Sequence, residues 1–229
     1  MRLSPVEAHR LWAPGYDAGL NPLLALEART MAGLFEAGVI GPVQSMRAVD
    51  VGCGTGRSML ALLQRGADVL GVDACSEMLA EAARKRGLRR RLVLGEAAFL
   101  PFRSAISDLT FCSFAIDYVA DLDGALSEMA RITKPGGKVV ISDLHPSAIS
   151  SGWTRSFRAG DSVYEIEHCQ RPAAQFLDAA QRAGLRLQTQ LDACFAEPER
   201  YLFCTAGREA MFAELSKVPA LWLAVWMRP

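Results

Sequence analysis

The chain lacks most of the features that would mark a disulfide scaffold, a membrane protein or a polyanion clamp. Its cysteines, Cys53, Cys75, Cys112, Cys169, Cys194 and Cys204, form no CxxC pair and sit mostly in apolar or glycine-rich surroundings. Reduced thiols in the cytoplasm are the simpler expectation, because a chain of this length needs no covalent staples. Histidine is scarce. His9, His145 and His168 share no ligand spacing, so no metal site is expected. No apolar run approaches the roughly 18 residues of a membrane-crossing helix. The best candidate, PALWLAVWM near the C-terminus, reads as a strand. The opening MRLSPVEAHRLWAPGYD has no apolar h-region and reads as mature protein. Excess charge is also missing: 25 basic residues balance 25 acidic ones. A polyanion grip needs basic residues, so nucleic acid is not the expected partner. There is no internal repeat and no low-complexity linker.

What is present suits one globular domain over 1–229, with 51% hydrophobic and 22% charged residues. A chain of this size buries roughly 70% of the surface its unfolded form exposes. A small-molecule partner is the expectation, with the chain a monomer or homodimer.

Residues 1–40 read as helices, with Leu23, Leu24, Leu26, Leu34 and Phe35 at helical spacing and Gly41-Pro42 as punctuation. RAVDVG then forms a short strand and Gly52 to Gly56 a glycine-rich turn. A helix over 57–65 closes at Gly66. ADVLGVD is the next strand, and Ser76 is a candidate cap for a helix over 77–86. A short strand at 92–94 and DLTFCSF at 108–114 follow. Asp121 or Asp123 can cap a helix running to Arg131, and Pro135-Gly136-Gly137 opens the strand KVVISD at 138–143. Strands alternating with helices predict an α/β fold with a mostly parallel sheet and helices on both faces. The rhythm breaks over 145–171, a polar excursion with a possible hairpin piece, SVYEIEH. A helix after Pro172, the strand LRLQTQL, a helix over 207–216 and the final strand complete the chain. The last two strands are expected to pair as an antiparallel edge hairpin.

VDVGCGTG at 49–56 is the strongest local signal. Small residues between strand and helix let a ligand approach the backbone, whose N–H groups can serve an anion. The spacing is GxGxG, not the dinucleotide fingerprint GxGxxG, which would need glycine where this chain has Arg57. A nicotinamide dehydrogenase is disfavoured on that ground. Asp73 ends the second strand, 21 positions after Gly52. Topology puts its carboxylate beside the turn, where it can accept both hydroxyls of a ribose; a helix cap or a solvent-facing acid is the alternative. Gly95-Glu96-Ala97 follows the third strand and can meet an adenine edge.

Together VDVGCGTG, GVDACSEMLAEA at 71–82, GEAAFLPF at 95–102 and residues 108–146 resemble the class I S-adenosylmethionine-dependent methyltransferases, in the small-molecule type 11 group. The resemblance is close over about 10–146 and loose over 172–229. It implies a Rossmann-like sheet of seven strands in the order 3-2-1-4-5-7-6, strand seven antiparallel. It implies methyl transfer from S-adenosyl-L-methionine to a small-molecule acceptor by in-line displacement, with S-adenosyl-L-homocysteine as product. An RNA or protein methyltransferase and a non-catalytic cofactor-binding protein are the alternatives.

Residue by residue, the resemblance surrounds the methionine portion with Asp50, Gly52, Cys53 and Gly54. It gives tight packing to Gly56 and the ribose to Asp73. It sets Ala74 and Met78 beside the adenine, with Glu96 and Ala97 near its amine. Ser113 and Phe114 border the sulfur. LWAPGYD resembles a lid, so residues 1–40 are a helical lid with Tyr16 as a carboxylate contact. Glu96 stands where many relatives have aspartate. Met78 is equally a core residue. The excursion 145–171 is an acceptor-site cover. His145, His168 and Tyr118 are the candidates for a direct catalytic role. The basic cluster RKRGLRRR, 84–91, is expected as a solvated turn away from the site, with RNA docking as the alternative.

Overall fold

The computed structural model describes residues 1–229. In chain order, β1 (Arg2–Leu3) and α1 (Pro5–Trp12) lead into a 3₁₀ segment, Ala13–Ala18, and α2 (Pro22–Glu36). Then come β2 (Arg47–Val51), α3 (Arg57–Gln64), β3 (Asp68–Asp73), α4 (Ser76–Arg84), β4 (Leu92–Leu94) and β5 (Ser107–Ser113). A 3₁₀ turn, Ile116–Tyr118, precedes α5 (Leu122–Ile132), β6 (Thr133–Leu144) and α6 (Pro146–Ser150). The chain ends with β7 (Ser156–Ala159), β8 (Ser162–Ile166), α7 (Ala173–Arg182), β9 (Arg186–Ala193), α8 (Glu197–Thr205), α9 (Glu209–Leu215) and β10 (Leu221–Met227).

The main sheet has seven strands in the order β4-β3-β2-β5-β6-β10-β9. β2 pairs in parallel with β3 and β5, β5 with β6, and β10 runs antiparallel to both β6 and β9. This is the expected Rossmann-like order, with the last strand reversed. Central strands read as continuous apolar runs because both faces are covered. Six of the seven residues of LWLAVWM in β10 are buried. Its alternation feeds two cores. Trp222, Ala224 and Trp226 pack with Leu126, Met129 and Phe176 of α5 and α7 on one face. Leu223 and Val225 pack with Met31, Leu34, Met59 and Leu62 of α2 and α3 on the other.

Four details differ from the sequence expectation. The chain begins with a strand, not a helix: β1 adds in parallel to β8, making a small sheet β1-β8-β7 that ties the first residues to the excursion. Cys75 rather than Ser76 occupies the cap position of α4. β6 begins at Thr133, before the Pro-Gly-Gly turn, because Thr133 already pairs with Ser107 and the strand register then shifts. Two helices, α8 and α9, replace the single one expected over 207–216, and Glu197-Pro198 supplies the start of the first. Between the two cap candidates of α5, Asp121 takes the position and accepts the Gly124 N–H at 2.9 Å.

Candidate functional site

The parallel strands deliver their carboxyl ends to one edge, and the chain turns there on glycine. Gly52, Gly54 and Gly56 have φ of +72°, +52° and +81°, a region that costs other residues roughly 1–2 kcal/mol. Packing adds a second constraint. A Cβ on Gly52 would lie 2.4 Å from Ala115 Cβ, and one on Gly56 would lie 2.4 Å from Leu88 Cδ1. Gly52 and Cys53 donate their N–H groups to the Val72 carbonyl at 2.8 and 3.0 Å. Asp73 completes the bracing: its Oδ2 accepts from Gly54 N at 2.7 Å and its Oδ1 from Cys75 N at 2.8 Å. Burial raises the Asp73 carboxyl above its ordinary range, and these N–H donors work against that shift.

Above this edge lies a cavity of about 170 Å³. The glycine turn supplies Gly52 and Gly54 to its wall, β3, α4 and the link between them supply Asp73, Met78 and Ala74, and Ala97, Ser113, Phe114 and Tyr16 close it. A narrower pocket of about 30 Å³ adjoins it, lined by Asp50, Cys53, Thr55 and Arg57 among others. Asp50 is 1% exposed, and neither carboxylate oxygen has a partner. Burial pushes its carboxyl up to about 7, against the attraction of Arg57 and helped by Glu27 and Asp73. A buried carboxylate without a donor is costly unless a cation arrives. The ammonium of an amino-acid ligand is such a cation, and two acids at one cavity suit a cationic nucleoside. The residues present therefore fit S-adenosyl-L-methionine.

Arg57 does not merely tolerate its position after the turn. Its guanidinium pairs with Glu27 of α2 and donates to Ser113 Oγ at 2.9 Å. Glu27 also accepts from Ser113 and Ser142, so it joins α2 to the ends of β5 and β6. Asp17 accepts from Thr55 at 2.9 Å and pairs with Lys85 at 2.6 Å, fastening the N-terminal segment to the turn. Lys85 is thus one of three members of the basic cluster with acid partners; Arg84 pairs with Glu81 and Arg91 with Asp68.

A second cavity, of about 150 Å³, lies beside the first under the N-terminal helix and the excursion. His9, Tyr16, Phe114 and Tyr118 line both cavities. The second also meets Trp12, Trp153 and Arg155. Arg155 pairs with buried Asp143, and its Cζ lies 4.9 Å from the centre of the Tyr118 ring.

The expected site residues divide clearly. Tyr16, Gly52, Gly54, Asp73, Ala74, Met78, Ala97, Ser113 and Phe114 converge on the larger cavity, and Asp50 and Cys53 on its annex. Met78, 1% exposed, is a core residue and a cavity wall at once. Gly56 serves packing against Leu88. Glu96 lies outside these cavities, in a small bridge with Phe99, while its neighbours Gly95 and Ala97 point inward. Among the catalytic candidates, Tyr118 alone lies at the site.

His145 lines neither cavity. It caps α6, accepting from Ser147 N at 3.1 Å, and its Nε2 lies 3.3 Å from Asp192. The Pro after it starts a helix, and the imidazole satisfies one of its free N–H groups, that of Ser147. His168 lies outside them too: its Nδ1 meets the Ile166 carbonyl at 3.1 Å, and it lines neither cavity. Sequence reasoning missed His9, Glu27, Asp17 and Arg155. Each lies far along the chain from the motif it joins, and nothing in its local spacing marks it.

The sheet order is that of the class I S-adenosylmethionine-dependent methyltransferases, and the residues of this cavity fit that cofactor. Residues 49–141 match a methyltransferase domain family. It is similar to a demethylmenaquinone methyltransferase of Renibacterium salmoninarum, 35% identical over 59% of this chain and 56% of that one. It also resembles a malonyl-[acyl-carrier protein] O-methyltransferase of Serratia marcescens, 35% identical over 42% of this chain and 37% of that one. The aligned region thus spans about half or less of these curated relatives. An S-adenosylmethionine-dependent methyltransferase from Mesorhizobium loti shares the fold, with a TM-score of 0.64 and 22% identity over 84% of this chain and 95% of that one. No helix of the chain is long and apolar enough to cross a membrane.

Proposed function

We propose that the chain transfers a methyl group from S-adenosyl-L-methionine to a small-molecule acceptor held in the second cavity. The observation that carries this reading is the wall common to the two cavities: His9, Tyr16, Phe114 and Tyr118. A donor in one cavity and an acceptor in the other would meet across that wall. The bound cofactor supplies an electrophilic methyl on a sulfonium. Asp73 would hold the ribose hydroxyls, Asp50 the ammonium, and Tyr16, which lines the cavity and its annex, the carboxylate end. Ser113 and Phe114 would border the sulfur. The aromatic walls of the second cavity would orient a flat or apolar acceptor and keep water out. Residues 1–40 act as a lid and 145–171 as a cover; the pairing of β1 with β8 supports the two working as one unit.

The test is a methyl-transfer screen with labelled cofactor against a metabolite extract, with the product identified by mass. A labelled small molecule is expected. Cofactor binding by calorimetry without any labelled product would instead favour a non-catalytic binder.

A further inference from the structure

We propose that His9 is the general base of this reaction and that the acceptor presents to it a weakly acidic hydroxyl, a phenol or an enol on a flat ring. The inference rests on the methyl-transfer reading and deepens it by naming the proton acceptor and the acceptor's chemical class.

Three titratable residues stand in the common wall: His9, Tyr16 and Tyr118. Burial pushes the Tyr16 phenol up to about 12 and raises the Tyr118 phenol as well, so both stay neutral and make poor bases. His9 is the remaining group. Its Nδ1 lies 2.7 Å from the Pro5 carbonyl, one turn earlier in α1. A carbonyl only accepts, so Nδ1 carries the proton and the lone pair resides on Nε2. That bond is the only one the ring makes, and Nε2 is left without a partner on a residue lining both cavities. The ring is clamped rather than loose: it meets Tyr118 edge-on at 5.1 Å and stacks on Trp12 at 6.3 Å. Desolvation lowers its pKa, so it is neutral and ready to take a proton at pH 7.

The acceptor class follows from what a base is needed for. A neutral hydroxyl is a weak nucleophile unless its proton leaves as the new bond forms, whereas an amine need only be presented neutral. The cavity beyond His9 offers Trp12, Phe114, Tyr118 and Trp153 to a ring. In the step, acceptor oxygen forms a bond to the methyl carbon as the carbon–sulfur bond breaks. The electron pair of that bond stays on sulfur, giving the neutral thioether product. The hydroxyl proton passes to Nε2 of His9 and then to solvent. The charged groups facing the ring are Asp73, which favours its protonation, and Arg155, which opposes it. On the other elements packed against α1, Glu77 of α4 is engaged by Arg10, and Tyr164 of β8 stacks on Phe157.

The test uses the full chain with labelled cofactor and a metabolite extract supplemented with 2-naphthol and 4-hydroxycoumarin. The wild type, His9→Asn and His9→Ala are compared, the last with and without added imidazole. Asparagine retains a donor for the Pro5 carbonyl but has no equivalent of Nε2. Expected are products methylated on oxygen, a loss of about 10²-fold or more in kcat for both variants, and partial recovery of His9→Ala by imidazole. Full activity in His9→Asn overturns the base assignment and leaves methyl transfer standing. Products methylated only on nitrogen, carbon or sulfur overturn the acceptor class. No product from the wild type overturns the methyl-transfer reading itself. Nitrogen-15 NMR decides the base independently of any acceptor. The Nδ1–H tautomer, neutral at pH 7, is expected; an Nε2–H tautomer or an imidazolium at that pH overturns it.

Discussion

The carboxylate of Glu27 and the guanidinium of Arg57 form an ion pair inside the protein, with the Glu27 side chain 1% exposed. The pair joins the N-terminal helix α2 to the start of α3, immediately after the glycine turn. Removing Arg57 leaves the Glu27 charge buried and uncompensated, which costs about 3–5 kcal/mol. Arg57→Ala is therefore expected to lower unfolding stability by that amount in urea titration, and Glu27→Ala by less, because the Arg57 side chain is 33% exposed. Glu27→Ala combined with Arg57→Ala should cost less than the sum of the single changes. Additive losses would mean that the two residues do not act as a pair.

Asp73 should govern cofactor affinity. Asp73→Ala removes the proposed acceptor for the ribose hydroxyls and also frees Gly54 N and Cys75 N. Hydrogen bonds to a charged group are worth about 1.5–3 kcal/mol, so a drop of about 10- to 100-fold in affinity for S-adenosyl-L-homocysteine is expected by calorimetry. NAD should not bind either form. An unchanged affinity would remove Asp73 from the ribose.

Asp50 makes the ligand-free protein sensitive to pH. Its folded pKa is raised from 3.8 to about 7. The folded state therefore binds more protons than the unfolded state between those values. Stability is retained at acid pH and falls as pH rises through that window, by up to about 1.4 kcal/mol per pH unit from this group. Asp50→Asn should flatten that slope, raising Tm at pH 8 relative to wild type with little change near pH 4. It should also weaken cofactor binding, because the ammonium loses its counter-charge. Thermal melts across pH, with and without S-adenosyl-L-methionine, check both halves.

Gly52→Ala should be damaging for two independent reasons. Its φ of +72° disfavours a side chain, and the added methyl would sit 2.4 Å from Ala115 Cβ. Strain and overpacking together predict a loss of roughly 2–4 kcal/mol. Gly54→Ala meets no atom within 4 Å, so it should cost only the backbone share. Equal melting temperatures for the two variants would contradict this distinction.

The cofactor half of the site was legible because its residues are near neighbours of two strand ends. Gly52, Gly54 and Asp73 lie where an alternating strand–turn–helix pattern must place them, and the parallel register of β2 with β3 then brings them together. Met78 and Ala97 followed from the same logic. Glu96 did not, because the backbone bridge to Phe99 carries it past the cavity that its neighbours line.

The acceptor half was legible only as a region. His145 looked well placed by position, directly after a strand, but the helix that Pro146 begins claims its ring as a cap. His9 carried no local signal at all. It reaches the site because β1 joins β8 and lays α1 across the open edge of the sheet. Glu27 and Arg155 arrive by similarly long routes.

The sequence by itself determined the sheet, the turn and the nucleoside-binding edge, since these follow from short-range periodicity, glycine conformation and the handedness of parallel connections. Only the tertiary structure decided which histidine lines the two cavities. That choice depends on where the two ends of the excursion and the N-terminal helix pack, and packing between distant segments leaves no period in the sequence to read.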